Sequence, residues 1–487
     1  MKPIPLTILH SNDMHGDFLA EMSSGETHLV GGLSLLSGYI NAVRETERNV
    51  LFVIAGDMLQ GSIIDSEYRG VSTIEIMNYL APDVVTLGNH EFDYGLPHML
   101  FLERVANFPI VNANLYIEKY NKRMMQPYHI IKKDGIEILF IGIITEKVMS
   151  SIANDQQIAS FITLEDAAAE VGHITNAFKN DDIDLTVLLT HIGYESDVEL
   201  AKLLRPEWGV DLIIGGHSHT VLDEPTVVND VIIAQAGVGT DQIGRFDLIV
   251  DEETNSIAEY RWELVPITTA IAQPDHGLET FIGSFKEVVD RKYNSVVTRF
   301  TRKLEHPMRE VETPLGNLVA DAMADGTRTD VMLQGSGAIR FKQLGPLVTL
   351  GELVACFPFD ESVTRFTVSG AQLKRIFAHI MRPENRDGEG ECYQVNHGVK
   401  AVYRDGERKL EELWARGAPV VDDATYTLAT SAYHEKNASA FLGVPIEELR
   451  ASGPHKMVTT SMRDVLLEYL RAHQGLDASV EGRLVYL

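Results

Sequence analysis

Eight short apolar runs, rich in β-branched residues and separated by stretches of helical periodicity, set the tightest constraint on the fold of this chain. They cover residues 6–9, 50–55, 84–87, 110–113, 138–144, 185–190, 212–214 and 231–234. Near-continuous Val/Ile/Leu runs predict strands covered on both faces, as in layered α/β sheets. Residues 31–44 and 72–80 read as helices between them, the first opened by Gly31-Gly32. The pattern holds to about residue 265. Pro266 and Pro274-Asp275-His276-Gly277 then mark a boundary. Residues 278–293 have helical periodicity and suit a linker helix. Residues 296–487 bring their own apolar segments, at 318–324, 348–354 and 462–470, and are numerous enough to bury a separate core. The expected organisation is therefore 1–265, a linker over 266–295, and a second domain over 296–487. Residues 382–391 are polar and Gly-containing and predict an exposed loop.

The residues that follow the strands carry the chemistry. Residues 6–9 lead to Asp13 and His15; 50–55 lead to Asp57; 84–87 lead to Asn89 and His90; 185–190 lead to His191; 212–214 lead to His217 and His219. Ligands in open α/β sheets bind beyond the carboxyl ends of strands. Five deliveries of metal-ligating side chains to such ends predict a metal site. Asp13 and His15 are two residues apart, as are His217 and His219. In extended backbone each pair points one way, and so can grip one ion or serve two adjacent ions. The donors are four His, two Asp and one Asn. That mixed nitrogen and oxygen set favours Mn²⁺, Co²⁺, Zn²⁺ or Fe²⁺ over Ca²⁺. His90 and Asp93 are placed to form an imidazole–carboxylate pair in which the acid orients the ring.

Composition limits the partners. The chain has 487 residues and a net charge of −28, which argues against a nucleic-acid polymer or an anionic membrane. A small anionic substrate would need metal ions or clustered Arg to overcome this charge. Two cysteines, Cys356 and Cys392, make a disulfide framework unexpected. No secretory signal or apolar run of membrane-spanning length is visible, so the expected location is the cytoplasm.

The segments His10-Ser11-Asn12-Asp13-Met14-His15-Gly16, Gly56-Asp57, Gly88-Asn89-His90-Glu91-Phe92-Asp93 and Gly215-Gly216-His217-Ser218-His219, in that order, resemble the calcineurin-like metallophosphoesterases, and within them the 5′-nucleotidase branch. Residues 312–322 and Gly335-Ser336-Gly337-Ala338-Ile339-Arg340 resemble the C-terminal 5′-nucleotidase domain. The resemblance implies a four-layer α/β/β/α sandwich followed by a smaller α+β domain. It implies two divalent ions bridged by Asp57, one held by Asp13, His15 and His219, the other by Asn89, His191 and His217. Some relatives carry Gln at the position of His219. The implied reaction is release of phosphate from nucleoside 5′-monophosphates by attack of a metal-bound hydroxide, with His90 and Asp93 stabilising developing charge. Hydrolysis of cyclic nucleotides, nucleotide sugars or other small phosphoesters is the alternative, ahead of a non-catalytic metal- or nucleotide-binding role. Arg340 and Arg309 are expected to contact the substrate anion, and Phe359 and Tyr433 to flank a base. Three departures bear on substrate choice. Gly335 stands where relatives usually have Asn, Asp360-Glu361 replaces a Gly-Asn-like pair, and Ser439 stands in place of the acid that would grip the ribose hydroxyls.

Overall fold

A computed structural model of the chain describes residues 3–22, 28–117, 120, 122–144, 158–160, 163–387 and 391–487. The chain divides into two compact units, Met1–Val289 and Asp290–Leu487. The first is built on two six-stranded sheets. One has the order Ser256–Pro266, Gln242–Asp251, Pro3–Ser11, Val50–Ala55, Val84–Thr86, Ile110–Val111; the other runs Thr226–Val228, Val231–Ala234, Leu212–Ile214, Leu185–His191, Ile136–Ile144, Tyr128–Lys133. The strands from Pro3–Ser11 to Ile110–Val111 are parallel to one another, as are those from Ile136–Ile144 through Val231–Ala234.

Side chains from both sheets form one core, in which Leu6, Ile8, Leu51 and Val53 meet Phe140, Leu185, Val187 and Leu212. The alternate residues of the second sheet, among them Leu139, Ile141, Leu188 and Ile213, pack on helices Leu164–Ala177 and Tyr194–Leu203. Helix Leu33–Thr46 buries Leu33, Leu36 and Ile40, and Val71–Leu80 buries Ile74 and Met77. The result is the α/β/β/α sandwich. Its interior strands are covered on both sides, which is why all six residues of Val50–Ala55 and all seven of Leu185–His191 are buried. The antiparallel outer strands differ. Gln242–Asp251 alternates between buried and half-buried positions, and Ser256–Pro266 is largely exposed; neither forms a continuous apolar run.

The second unit centres on a five-stranded mixed sheet, ordered Tyr393–Val395, Val331–Gly335, Thr425–Ser431, Val363–Ser369, Lys456–Thr459. Helices Pro314–Thr327 and Met462–Ala472 share a core with Met332, Val363 and Ala429. Helix Gly370–Ile380, closed by a Ser369/Gln372 capping box, packs with the alternate residues Val331, Leu333, Phe366 and Leu428. A four-stranded sheet, Ala418–Pro419, Lys409–Ala415, Lys400–Arg404, Leu484–Tyr486, contributes Ala401, Tyr403 and Leu413 to that second core. Helix His276–Tyr293 runs across the point in the sequence where the two units divide.

The loop expected over residues 382–391 is more structured than its composition suggests. Pro383–Arg386 forms a 3-10 turn, the Asn385 amide donates to the His379 and Ile380 carbonyls, and the Arg386 guanidinium lies 3.8 Å over the Tyr486 ring. Residues 388–390 lie outside the described residues. Cys356 and Cys392 are both buried free thiols. Among the described residues no helix is long and apolar enough to cross a membrane.

Candidate metal centre and ligand cavity

The seven proposed donors come together beyond the strand ends of the first unit. Asp13, His15 and His219 form one cluster, Asp57, His191 and His217 another, and His15, Asp57 and His90 a third, each with its donor atoms within 4.8 Å. Asn89 joins through a 3.0 Å contact between its Oδ1 and His217 Nδ1. Asp13 Oδ2 accepts N–H groups from the Asn12 side chain at 2.7 Å and the His217 backbone at 2.8 Å. Asp13 Oδ1 is buried with no hydrogen-bond partner, yet His219 Nε2, His15 Nε2 and His191 Nε2 stand 3.4, 3.8 and 3.9 Å away. His191 Nδ1 donates to the Ala55 carbonyl at 2.8 Å, which turns Nε2 inward; that Nε2 is also buried and unpartnered, 3.1 Å from Asp57 Oδ2. Orphaned buried polar atoms are rare. Two of them, facing each other amid carboxylates and imidazoles, are what a cation site requires.

The backbone explains how donors two residues apart converge. The extended geometry expected for the two pairs is absent. Asp13, His15, Asp57, His217 and His219 all have positive φ, from 48° to 81°. Left-handed backbone at a non-Gly residue costs free energy and collects at functional sites. The pairs also differ in use. Asp13 and His15 fall in one cluster, whereas His217 and His219 are divided between two. Gly88 is required by close approach, because a Cβ there would lie 2.2 Å from Asp57 Oδ1.

Charge in the cluster is strongly biased. Burial opposes a charged His191, but Asp57 and Asp13 outweigh it and pull the imidazole pKa up to about 9. Burial likewise pushes Asp57 up, while His191 and the His90 N–H hold its carboxyl down to about 2. The site therefore favours positive charge beside ionised carboxylates. His90 Nδ1 is 2.7 Å from Asp93 Oδ2, and this hydrogen bond raises the His90 pKa.

Glu91, to which the sequence assigns no role, is buried beneath the centre. Its carboxylate accepts the backbone N–H groups of Gly88, Asp57, Met58 and Leu59 at 2.6, 3.0, 2.8 and 3.3 Å. Burial, with Asp57 nearby, raises its pKa to about 7. One side chain thus ties the Asp57 turn to the Gly88 turn. Asn12 works similarly, accepting from Ala236 N at 2.9 Å and donating to Gly237 O at 2.7 Å.

Arg309, Arg340, Phe359 and Tyr433 all line a single cavity of about 350 Å³ in the second unit. Phe359 and Tyr433 are half exposed, and the Arg340 guanidinium lies 5.0 Å over the Phe359 ring. Glu361, singled out in the sequence with Asp360 as a departure, lines the same cavity, as do Glu391 and His434, which were not anticipated from the sequence. Glu361 accepts the Tyr433 backbone N–H at 3.2 Å. Ser439 is exposed.

Residues 6–221 match the calcineurin-like phosphoesterase family, and residues 294–443 match the 5′-nucleotidase C-terminal domain. The 5′-nucleotidase of Vibrio cholerae (serotype O1, strain ATCC 39315 / El Tor Inaba N16961) is 26% identical over 100% of this chain and 94% of its own length. Endonuclease YhcR of Bacillus subtilis (strain 168) is 25% identical over 99% of this chain, which spans 41% of that protein. The structure of a 5′-nucleotidase precursor from Thermus thermophilus superposes with a TM-score of 0.59 at 25% identity, covering 99% of both chains. The chain thus joins a calcineurin-like phosphoesterase domain to a 5′-nucleotidase C-terminal domain, and it belongs to the 5′-nucleotidase family of hydrolases.

Proposed function

We propose that this protein is a metal-dependent phosphohydrolase that releases phosphate from nucleoside 5′-monophosphates. The observation that carries the reading is the convergence of seven donor side chains around Asp13 Oδ1 and His191 Nε2, two buried polar atoms with no hydrogen-bond partner. Asp13, His15 and His219 would hold one divalent ion, Asn89, His191 and His217 a second, and Asp57 both. Mn²⁺, Zn²⁺, Co²⁺ and Fe²⁺ suit this donor set. When bound, such ions supply Lewis-acid charge to phosphate oxygens and ease deprotonation of the attacking water.

The chain's own residues supply the rest. Asp93 accepts from His90 Nδ1 and fixes the ring, leaving Nε2–H to donate to a phosphoryl or leaving-group oxygen. The hydrogen bond to Asp93 raises the His90 pKa and so favours the imidazolium form. Arg309 and Arg340 offer forked donors to the anionic part of the substrate, a local attraction that a net charge of −28 makes necessary. Phe359 and Tyr433 offer exposed rings to a nucleobase.

A second reading has one observation in its favour. Exposed Ser439 cannot replace a carboxylate that accepts two ribose hydroxyls, which fits looser selection among cyclic nucleotides, nucleotide sugars and other small phosphoesters. A phosphate-release panel with added Mn²⁺ separates the readings, using AMP, GMP, UMP, cyclic 2′,3′-AMP, UDP-glucose and an aryl phosphate. Preference for the nucleoside monophosphates is expected. Preference for the aryl phosphate over every nucleotide would overturn the nucleotidase reading.

A further inference from the structure

The cavity of the second unit has a wall that differs in character from its Arg and aromatic sides. His434 is 4% exposed and its Nε2 has no hydrogen-bond partner. Glu391 Oε1 is 3.2 Å from that nitrogen, but too far off line to form a hydrogen bond with it. The ring is held from behind by Ser431 Oγ, 3.0 Å from Nδ1, and by the Tyr393 ring at 4.9 Å. Gly335 makes room for it, since a Cβ there would stand 2.5 Å from His434 Cε1 and 3.3 Å from Glu391 Oε1. Any larger residue at 335 and this imidazole position exclude each other. A buried imidazole and a carboxylate thus face a cavity with polar capacity to spare.

We propose that His434 and Glu391 read the edge of the base, and that they favour guanine. The proposal rests on the nucleotide reading of the site given above. A carboxylate beside Nε2 favours the proton on that nitrogen, so His434 presents a donor and Glu391 an acceptor, side by side. Guanine sets a carbonyl oxygen next to a ring N–H and an exocyclic amino group. The oxygen accepts from His434, and the two adjacent N–H groups donate to the two oxygens of Glu391. Hypoxanthine keeps the oxygen and the ring N–H but lacks the amino group. Uracil sets a second carbonyl oxygen against the carboxylate. Adenine matches one donor and one acceptor and leaves a carboxylate oxygen unused. A site built to accept N–H groups rejects analogues that lack them more strongly than an apolar pocket rejects a missing methylene.

The test compares kcat/KM for GMP and IMP, which differ by one amino group, in the full chain with Mn²⁺. The wild type is expected to favour GMP by about tenfold or more. Glu391→Gln should bring the ratio close to one, and Glu391→Asp should restore part of it. Gly335→Ala, whose Cβ would displace the His434 ring and stand 3.3 Å from Glu391 Oε1, should lower kcat/KM for both nucleotides, since both carry the carbonyl oxygen that His434 reads. Calorimetric binding of guanosine and inosine should follow the same order. Equal turnover of GMP and IMP by the wild type, or a preference that survives Glu391→Gln, overturns the base assignment alone. Hydrolysis of an aryl phosphate with neither nucleotide turned over overturns the nucleotide reading itself, and this proposal with it.

Discussion

The Glu91 carboxylate collects four backbone N–H groups, from Gly88, Asp57, Met58 and Leu59, and so fixes the turn from which Asp57 projects. Glu91→Gln keeps the shape but turns an amide donor toward buried donors. Unsatisfied buried groups cost about 1–3 kcal/mol each, so this variant is expected to lose about 3 kcal/mol of stability in chemical denaturation and to bind divalent ions more weakly. His90 is predicted to behave differently. In the proposed reaction it would contribute charge and a proton rather than structure, and His90→Ala should lower kcat by about a hundredfold or more while metal content, measured by elemental analysis, stays at the wild-type level. Unchanged turnover in a metal-replete sample would remove His90 from the chemistry. The two residues are adjacent in sequence, and only one of them was legible there. His90 carries a side chain with an obvious chemical use, whereas Glu91 acts through backbone amides that no sequence pattern marks.

Elements were legible in proportion to how they are covered. Strands Val50–Ala55, Leu212–Ile214 and Val231–Ala234 have the bounds that their apolar runs predict, because strands buried on both faces must be apolar throughout. Tyr128–Lys133 and Ser256–Pro266 lie at sheet edges with exposed faces and charged residues, so hydrophobic continuity could not reveal them. The turns after the strands were legible in chemistry but not in geometry. Five left-handed residues, rather than extended pairs, aim the donors. Gly88 is the clearest sequence mark of that geometry. Gly88→Ala places a Cβ against Asp57 Oδ1 and is expected to displace the carboxylate, lowering metal affinity by about tenfold or more, readable by metal titration. Retention of wild-type affinity would mean that the Asp57 position is not fixed by this contact. Asp211, just before strand Leu212–Ile214, accepts the Thr186 N–H at 2.9 Å, and burial raises its pKa to about 7. A folded-state pKa above the unfolded value contributes stability at low pH that is lost as pH rises through about 7. Asp211→Asn should therefore flatten the fall in stability between about pH 4 and pH 7, as followed by thermal melting.

For the molecule as a whole, two kinds of information were separated along the chain. The first unit's donors fall in compact motifs, each at a strand end, so the metal cluster could be assembled on paper. The second unit's cavity draws Arg309, Gly335, Arg340, Phe359, Glu391 and His434 from segments far apart in sequence. Arg340 and the two aromatics were identified by resemblance, while Glu391 and His434 had no local pattern to announce them. The net charge of −28 adds a global requirement, since an anionic substrate gains from bound cations and from Arg before any specific contact forms. The central claim is that hydrolysis depends on divalent ions held by Asp13, His15, Asp57, Asn89, His191, His217 and His219. The most direct measurement is phosphate release from a nucleoside monophosphate by chelator-stripped protein, titrated with Mn²⁺ while bound metal is counted. The account predicts negligible release without metal, with activity rising as the ions fill the site and levelling off at about two per chain. Full turnover in metal-free protein, or metal uptake that leaves turnover unchanged, would contradict it.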